Sequence, residues 1–165
     1  MKNINYFIQF SLIIFLYSLY KILGLKNSQK ISAFIFSLFG PIFRSKKICK
    51  SNLSKAFPLI TKTEKEKIIK NMWINYGKIF AEYMFIKKFR TSSKFSKKIN
   101  IENQEELEKI KSLGKPVIFI SGHFNNFELM AMHIEKSGID LAAIYRPLNN
   151  NFLNPLMESI RKKYI

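Results

Sequence analysis

Acidic residues are missing from the first 63 positions of this 165-residue chain, where ten basic residues occur. Over the whole sequence 28 Lys and Arg outnumber 11 Asp and Glu, which gives a formal net charge of +17 at pH 7. Such an excess suits an anionic membrane surface, an acidic protein or a nucleic acid as partner. Part of it reflects a Lys-rich composition, in which only four basic residues are arginine: Arg44, Arg90, Arg146 and Arg161.

Cysteine and histidine are also scarce, with one cysteine and two histidines in the chain. A lone Cys49 excludes an intrachain disulfide and a cysteine-rich metal site. His123 and His133 have no further His or Cys nearby, so we predict no metal site, and no motif requires a cofactor. The lysines are not accompanied by an RNA-binding aromatic motif or a helix-turn-helix pattern, so nucleic acid is not the predicted partner.

A transmembrane anchor is predicted at the N-terminus, over residues 1–23. The run from Asn3 to Tyr20 carries no charge and is dominated by Phe, Ile and Leu. As a helix it would be about 27 Å long, close to the roughly 30 Å of a bilayer core. A buried or interfacial helix is the alternative, whereas a cleavable signal peptide would need a small-residue cleavage site that is missing. Lysines are denser after the span than before it, which predicts a single-pass protein whose body lies in the cytoplasm.

Residues 24–165 are predicted to form a domain that begins with helices. The apolar run Ile31–Phe43 is thirteen residues long and too short to span, so we predict a helix that lies in the membrane interface or packs on the domain. The basic cluster Arg44–Lys47 follows and suits anionic lipid headgroups. Farther along, Thr63–Glu66 has the form of a capping box that opens the next helix.

A strand–helix–strand unit is predicted in the last third of the chain. Val117–Ile120 and Leu141–Tyr145 are short apolar runs of the kind that is buried in a parallel sheet. A helix is predicted between them, from Asn126 to Lys136. The predicted fold class is therefore α/β, with an N-terminal membrane helix, further helices and a βαβ unit. Functional groups of open α/β sheets lie beyond the carboxyl ends of the strands, so His123 would face the segment that follows the second strand.

The octapeptide SGHFNNFE, residues 121–128, places His123 close to a carboxylate, Glu128. Residues five apart on one helix do not share a face, so the two meet only if His123 lies in a turn and Glu128 in the first helical turn. The carboxylate would then hold one ring nitrogen and leave the other free to accept a proton. Because no nucleophile motif is present, such a pair suits direct attack by a substrate hydroxyl. A purely structural role for His123 is the alternative.

Longer segments surround this octapeptide: ISGHFNNFELMA (120–131), AAIYRPLNNNFLNPLMESIRKKY (142–164) and, upstream, KKICKSNLSKAFP (46–58). Together they resemble the lauroyl and myristoyl lipid A biosynthesis acyltransferases of the lysophospholipid-acyltransferase superfamily. The resemblance implies a glycerolipid-acyltransferase-like mixed sheet, with His123 as general base and Glu128 as its partner. It also implies that Arg146, Asn126 and Asn149 bind substrate, and that Arg146 contacts a phosphate through its planar guanidinium.

The implied function is transfer of a fatty acyl chain from acyl carrier protein to a hydroxyl of a lipid A precursor, in contact with membrane lipids. The acidic carrier would dock on the basic face of the protein. The sequence departs from the family pattern at Asn125, where glycine is usual, and at Phe127, where tryptophan is usual. It also stops at Ile165, before the strands and basic motifs that usually follow, so we expect an incomplete domain. The alternatives are an inactive, truncated membrane remnant of such an enzyme and a glycerolipid acyltransferase.

Overall fold

The computed structural model of the chain describes residues 2–43 and 45–165. Met1, Arg44 and the side chain of Phe43 lie outside that description, so the predicted cluster Arg44–Lys47 is described only from residue 45 onward. The described helices are α1 (Lys2–Phe43), α2 (Lys46–Ala56), α3 (Lys62–Tyr83), α4 (Ile86–Thr91), α5 (Ser93–Ser96), α6 (Gln104–Ser112), α7 (Phe127–Lys136) and α8 (Leu153–Tyr164).

The predicted α/β fold is wrong, because none of the described residues lies in a β-strand. The runs 117–120 and 141–145 are coil, and Ile120 is 93% exposed while Ile144 is fully exposed. An apolar, β-branched run has a high strand propensity, but a strand is stable only when a neighbouring strand pairs with it. The predicted strand–helix–strand unit therefore reduces to its helix, α7.

α1 is interrupted at Gly24, whose φ of 73° and ψ of 166° belong to a region that essentially only glycine enters. The Ser28 hydroxyl lies 2.7 Å from the carbonyl oxygen of Gly24 and 3.1 Å from that of Tyr20, so it bonds backbone oxygens next to the break. The predicted separate helix over 31–43 is thus the C-terminal part of α1.

One helix in the described part of the chain is long and apolar enough to cross a membrane. It is α1, whose candidate span runs from Lys2 to Ile42 and has a mean hydropathy of 1.7 in its most apolar window. Only 6% of that window is buried inside the protein, so the apolar side chains are available to lipid. The helix fits a membrane-associated protein.

The chain divides into two compact units, residues 1–18 with 85–165 and residues 19–84. In the second unit the C-terminal part of α1 packs closely on α3 through small residues. A Cβ placed on Gly77 of α3 would meet the backbone of Ser32 and Ala33, and one placed on Gly40 would meet the Trp73 ring. Glycine is therefore required at both contacts for the helices to approach this closely.

α3 begins with a capping box at Thr61 and Glu64, two residues before the predicted one. The Glu64 N–H donates to Thr61 Oγ1 at 3.2 Å, and the Thr61 N–H donates to Glu64 Oε2 at 2.9 Å. Both Thr61 and Thr63 are followed three positions later by glutamate, so the spacing alone does not distinguish them. The second glutamate, Glu66, instead accepts a hydrogen bond from Lys50 of α2 at 3.1 Å.

In the first unit α4 contacts α5, α7 and α8. The buried apolar residues of this unit are Phe85, Ile86, Phe89, Met132, Ile134 and Ile160. Arg90 of α4 forms an ion pair with Glu135 of α7 at 2.5 Å and donates to the Tyr164 carbonyl oxygen of α8 at 3.3 Å. The hydrogen bond from Arg90 lowers the pKa of the Glu135 carboxyl. α7 and α8, which carry the candidate site, are thus both held by α4.

Candidate active site

His123 lies at the apex of a three-residue turn that precedes α7. The Phe124 N–H donates to the Gly122 carbonyl oxygen at 2.9 Å, which is the hydrogen bond of a γ-turn centred on the histidine. The imidazole is exposed, and its centroid lies 4.6 Å from that of the Phe127 ring, edge to face. Asn125 then adopts a left-handed φ of 46°, which asparagine tolerates, so the chain enters α7 without a glycine.

Glu128 lies in the first turn of α7 and is 4% exposed. Its Oε1 accepts two hydrogen bonds from Arg161 of α8, from Nε at 3.0 Å and from Nη2 at 2.6 Å. A buried carboxylate requires such a partner, because an uncompensated buried charge costs about 3–5 kcal/mol. The structure therefore pairs Glu128 with Arg161, and the hydrogen bond from His123 to Glu128 stays a prediction.

Arg161 also contacts the segment that contains Arg146. Its guanidinium carbon lies 5.0 Å from the centroid of the Tyr145 ring, a cation–π contact. The Tyr145 hydroxyl donates to Glu158 Oε1 of α8 at 2.9 Å. This hydrogen bond raises the pKa of Tyr145 and lowers that of Glu158. One arginine thus joins the buried carboxylate of α7 to the coil before α8.

Asn154 and Asn150 hold the rest of this coil. Asn154 Oδ1 accepts from the Leu148 N–H at 2.8 Å, and its Nδ2 donates to Glu158 at 2.8 Å. Asn150 is 6% exposed, and its Oδ1 accepts from the Leu153 N–H at 3.2 Å, at the start of α8. Its Nδ2 donates to the Tyr6 carbonyl oxygen at 2.9 Å, so it also ties α8 to the N-terminal part of α1.

The residues predicted to bind substrate lie in different environments. Asn126 is buried at the N-cap position of α7, whereas Arg146 and Asn149 are exposed in the coil between α7 and α8. The chain on both sides of Arg146 is held to α8, by the side chain of Tyr145 and by the N–H of Leu148. Contact of Asn126, Arg146 and Asn149 with substrate stays a prediction.

Arg161 and Asn150 are the residues that the sequence analysis missed. A signal for Arg161 was available, because an arginine in a chain that otherwise uses lysine indicates a need for a planar, two-pronged donor. The argument that selects Arg146 applies equally to Arg90 and Arg161, which both form ion pairs with glutamates. Asn150 stands in the triplet Asn149–Asn151, and nothing in the sequence distinguishes it from its neighbours.

Within residues 2–43 and 45–165, no group of three or more His, Cys, Asp or Glu side chains is arranged to hold a metal ion. A cavity of about 390 Å³ is lined by residues of α4, α6 and α7, among them Phe89, Gln104, Met132 and His133. Neither His123 nor Glu128 is among its lining residues.

Comparison with known proteins places these features in a family. A profile of the bacterial lipid A biosynthesis acyltransferases matches residues 1–164. The chain is 29% identical over 113 residues to Lipid A biosynthesis acyltransferase 2 of Shigella flexneri, a match that covers 68% of this chain and 36% of that relative. The chain thus spans little more than a third of the curated relative. Comparison with solved structures gives no significant match.

The family profile covers the turn at His123, the buried Glu128 and the coil that leads into α8. It confirms the resemblance carried by the two longer segments at 120–131 and 142–164. This chain belongs to the bacterial lipid A biosynthesis acyltransferase family.

Proposed function

We propose that this protein is a membrane-bound acyltransferase that moves a fatty acyl chain from acyl carrier protein to a hydroxyl group of a lipid A precursor. The observation that carries the proposal is the family match over residues 1–164, which includes His123 on its turn and Glu128 at the start of α7. The Shigella relative is itself named a lipid A biosynthesis acyltransferase, which supports the acceptor class.

In this proposal His123 is the general base. Its exposed turn leaves room for a substrate hydroxyl, and the imidazole takes the proton as the hydroxyl oxygen attacks the thioester carbon. The resulting tetrahedral oxyanion then collapses, the C–S bond breaks, and the imidazolium returns the proton to the departing thiolate. Backbone N–H groups at the start of α7 are suitable donors to the oxyanion.

Glu128 is proposed to orient the His123 ring. The two hydrogen bonds from Arg161 to Oε1 hold the carboxylate at a defined place next to the turn. The His123–Glu128 hydrogen bond would form in the substrate complex, since catalytic hydrogen bonds often tighten only there. Arg161 would then position Glu128 without contacting substrate.

Substrate binding is assigned to Arg146, Asn126 and Asn149. Arg146 is exposed and lies between two residues that bond α8, Tyr145 and Leu148. Its guanidinium can therefore bind a phosphate of the acceptor or the carrier in a two-pronged manner. Asn126, in the segment 120–131, and Asn149, in the segment 142–164, would contribute uncharged hydrogen bonds to the substrate. Lysine at position 146 would keep the charge and lose the two-pronged geometry.

The membrane helix and the net charge support the proposed location and donor. α1 is the candidate span, and lysines are denser on its C-terminal side, which favours a single pass through the inner membrane with the catalytic part in the cytoplasm. A formal net charge of +17 is complementary to an acidic carrier protein.

The proposal is tested by comparing the two histidines of the chain. His123→Ala should lower acyl transfer about 10²–10⁴-fold, the usual contribution of a general base. Glu128→Gln should lower it less, because an amide still accepts a hydrogen bond. His133→Gln serves as the matched control and should retain transfer. Equal activity in His123→Ala and His133→Gln would show that His123 is not the base.

A further inference from the structure

The second unit presents a basic and apolar surface that the proposed acyl transfer does not use. α2 turns Cys49, Lys50 and Leu53 inward, where they are partly buried, and leaves Lys47, Ile48 and Lys55 on its outer face. The turn after α2 adds Phe57 and Leu59. We call these five outward residues, Lys47, Ile48, Lys55, Phe57 and Leu59, the 47–59 surface.

Its apolar members project into solvent on a backbone of defined shape. Leu59 is 97% exposed, Phe57 is 57% exposed and Ile48 is 50% exposed. The Phe57 N–H donates to the Leu53 carbonyl oxygen at 2.8 Å, and the Ile60 N–H donates to the Phe57 carbonyl oxygen at 3.1 Å. A large apolar side chain that is held out in this way favours contact with a non-aqueous phase or a partner.

The charge around these apolar residues has one sign. Residues 45–62 contain five lysines and no acidic residue. The next acidic residues, Glu64 and Glu66, are each bonded within the unit, Glu64 to Thr61 and Glu66 to Lys50. No carboxylate within residues 45–62 therefore neutralises the outward lysines Lys47 and Lys55.

We propose that the 47–59 surface docks on the anionic phospholipids of the membrane, with Phe57 and Leu59 inserted between headgroups and Lys47 and Lys55 binding lipid phosphates. Charge complementarity and the membrane helix of the same chain identify this occupant. α1 ends at Phe43 and α2 begins at Lys46, so the surface follows the candidate span closely along the chain. Basic residues beside exposed apolar ones are the usual composition of an interfacial element. The inference does not depend on acyl transfer.

A fluorophore at position 59 tests the docking in the full chain. Leu59→Cys in a Cys49→Ser background provides a single labelling site, and the protein is placed in nanodiscs of phosphatidylcholine with or without phosphatidylglycerol. Brominated acyl chains should quench the label, and the ratio of quenched to unquenched label should rise with phosphatidylglycerol. Lys47→Gln and Lys55→Gln should each lower that ratio about fivefold, the effect expected of one basic residue at an anionic surface.

The matched control is Asn71→Cys in the same background, an exposed position on α3. Its label should remain accessible to a water-soluble quencher in both lipid mixtures. The proposal is overturned if brominated acyl chains quench the label at 59 no more than the label at 71. It is equally overturned if quenching at 59 does not depend on phosphatidylglycerol or on the lysine substitutions. It is also overturned if the label at 59 becomes protected only when acyl carrier protein is added, because the surface would then bind the carrier.

Discussion

At the scale of single residues, the buried carboxylate of the candidate site is paired with an arginine that lies 38 positions after His123 in the chain. Arg161 neutralises the buried Glu128 and makes a cation–π contact with Tyr145. One side chain therefore contacts both the carboxylate and the coil that carries Arg146. Spacing along the sequence predicted that His123 lies in the turn before α7 and Glu128 in the first turn of that helix, whereas their hydrogen bond stays a prediction. It could not predict Arg161, since that contact depends on how α8 packs against α7.

Arg161→Met should destabilise the protein more than any exposed substitution on α8. The change leaves Glu128, 4% exposed, without its ion-pair partner, and breaking such a pair costs about 3–5 kcal/mol. Thermal unfolding in mild detergent measures the loss. Lys162→Met, at the exposed neighbouring position, is the control and should change the melting temperature little.

The double variant Arg161→Met/Glu128→Gln should regain part of that loss, because a buried amide is cheaper than a buried carboxylate. If the double variant melts no higher than Arg161→Met, the ion pair is not what Arg161 contributes to stability.

His133 should make the stability of the protein sensitive to mild acid. Burial, followed by the charge of Lys136, lowers the pKa of His133 in the folded state. The contribution of neutral His133 to the free energy of unfolding is then fully present above the pKa of an unfolded histidine, about 6.5. It is lost as the pH falls below that pKa and through the lower pKa of the folded state. Between pH 7.5 and pH 5.5 the melting temperature of the native protein should fall further than that of His133→Gln, which keeps His123. Identical falls would contradict this role.

At the scale of secondary-structure elements, helices were predictable and strands were not. The sequence predicted a helix from Asn126 to Lys136, and α7 runs from Phe127 to Lys136, because helix hydrogen bonds and caps are local. The runs 117–120 and 141–145 carry strand propensity, but pairing depends on a neighbour that local sequence does not specify. Small residues were equally hard to interpret, since the need for glycine at position 77 comes from α1.

Gly24→Ala and Gly77→Ala should both destabilise the second unit, for different physical reasons. A Cβ at position 24 meets no atom within 4 Å, so its cost, about 1–3 kcal/mol, comes from the strained backbone conformation. A Cβ at position 77 would meet the backbone of Ser32, so α1 and α3 must move apart, at a cost of about 1–3 kcal/mol.

Because the two causes are separate, the losses in melting temperature should add in the double variant. Lys78→Ala, an exposed position next to Gly77, is the control and should be neutral. A neutral Gly77→Ala would show that the helices are not in close contact there.

At the scale of the whole molecule, the sequence predicted the family correctly and the fold class incorrectly. The family was predictable because its motifs are contiguous stretches, such as 120–131 and 142–164, and the profile match over 1–164 confirms it. The predicted fold class was wrong because strand propensity in a local run does not supply the neighbouring strand that a sheet requires. The candidate membrane helix was predictable because its criteria, length and apolar composition, can be taken directly from the sequence.

The central claim is that His123 serves as the base of an acyl transfer from acyl carrier protein to a lipid A precursor. The most direct measurement is mass spectrometry of the precursor after incubation with acyl carrier protein and the purified protein in lipid nanodiscs. It is made with the 165-residue chain alone and with the chain fused at its C-terminus to the part of the Shigella relative that follows the matched segment. We predict that the precursor gains the mass of one acyl chain in at least one of the two forms, and that His123→Ala lowers the yield at least about 100-fold in that form. No transfer by either form, or transfer that His123→Ala lowers by less than about tenfold, would contradict the account.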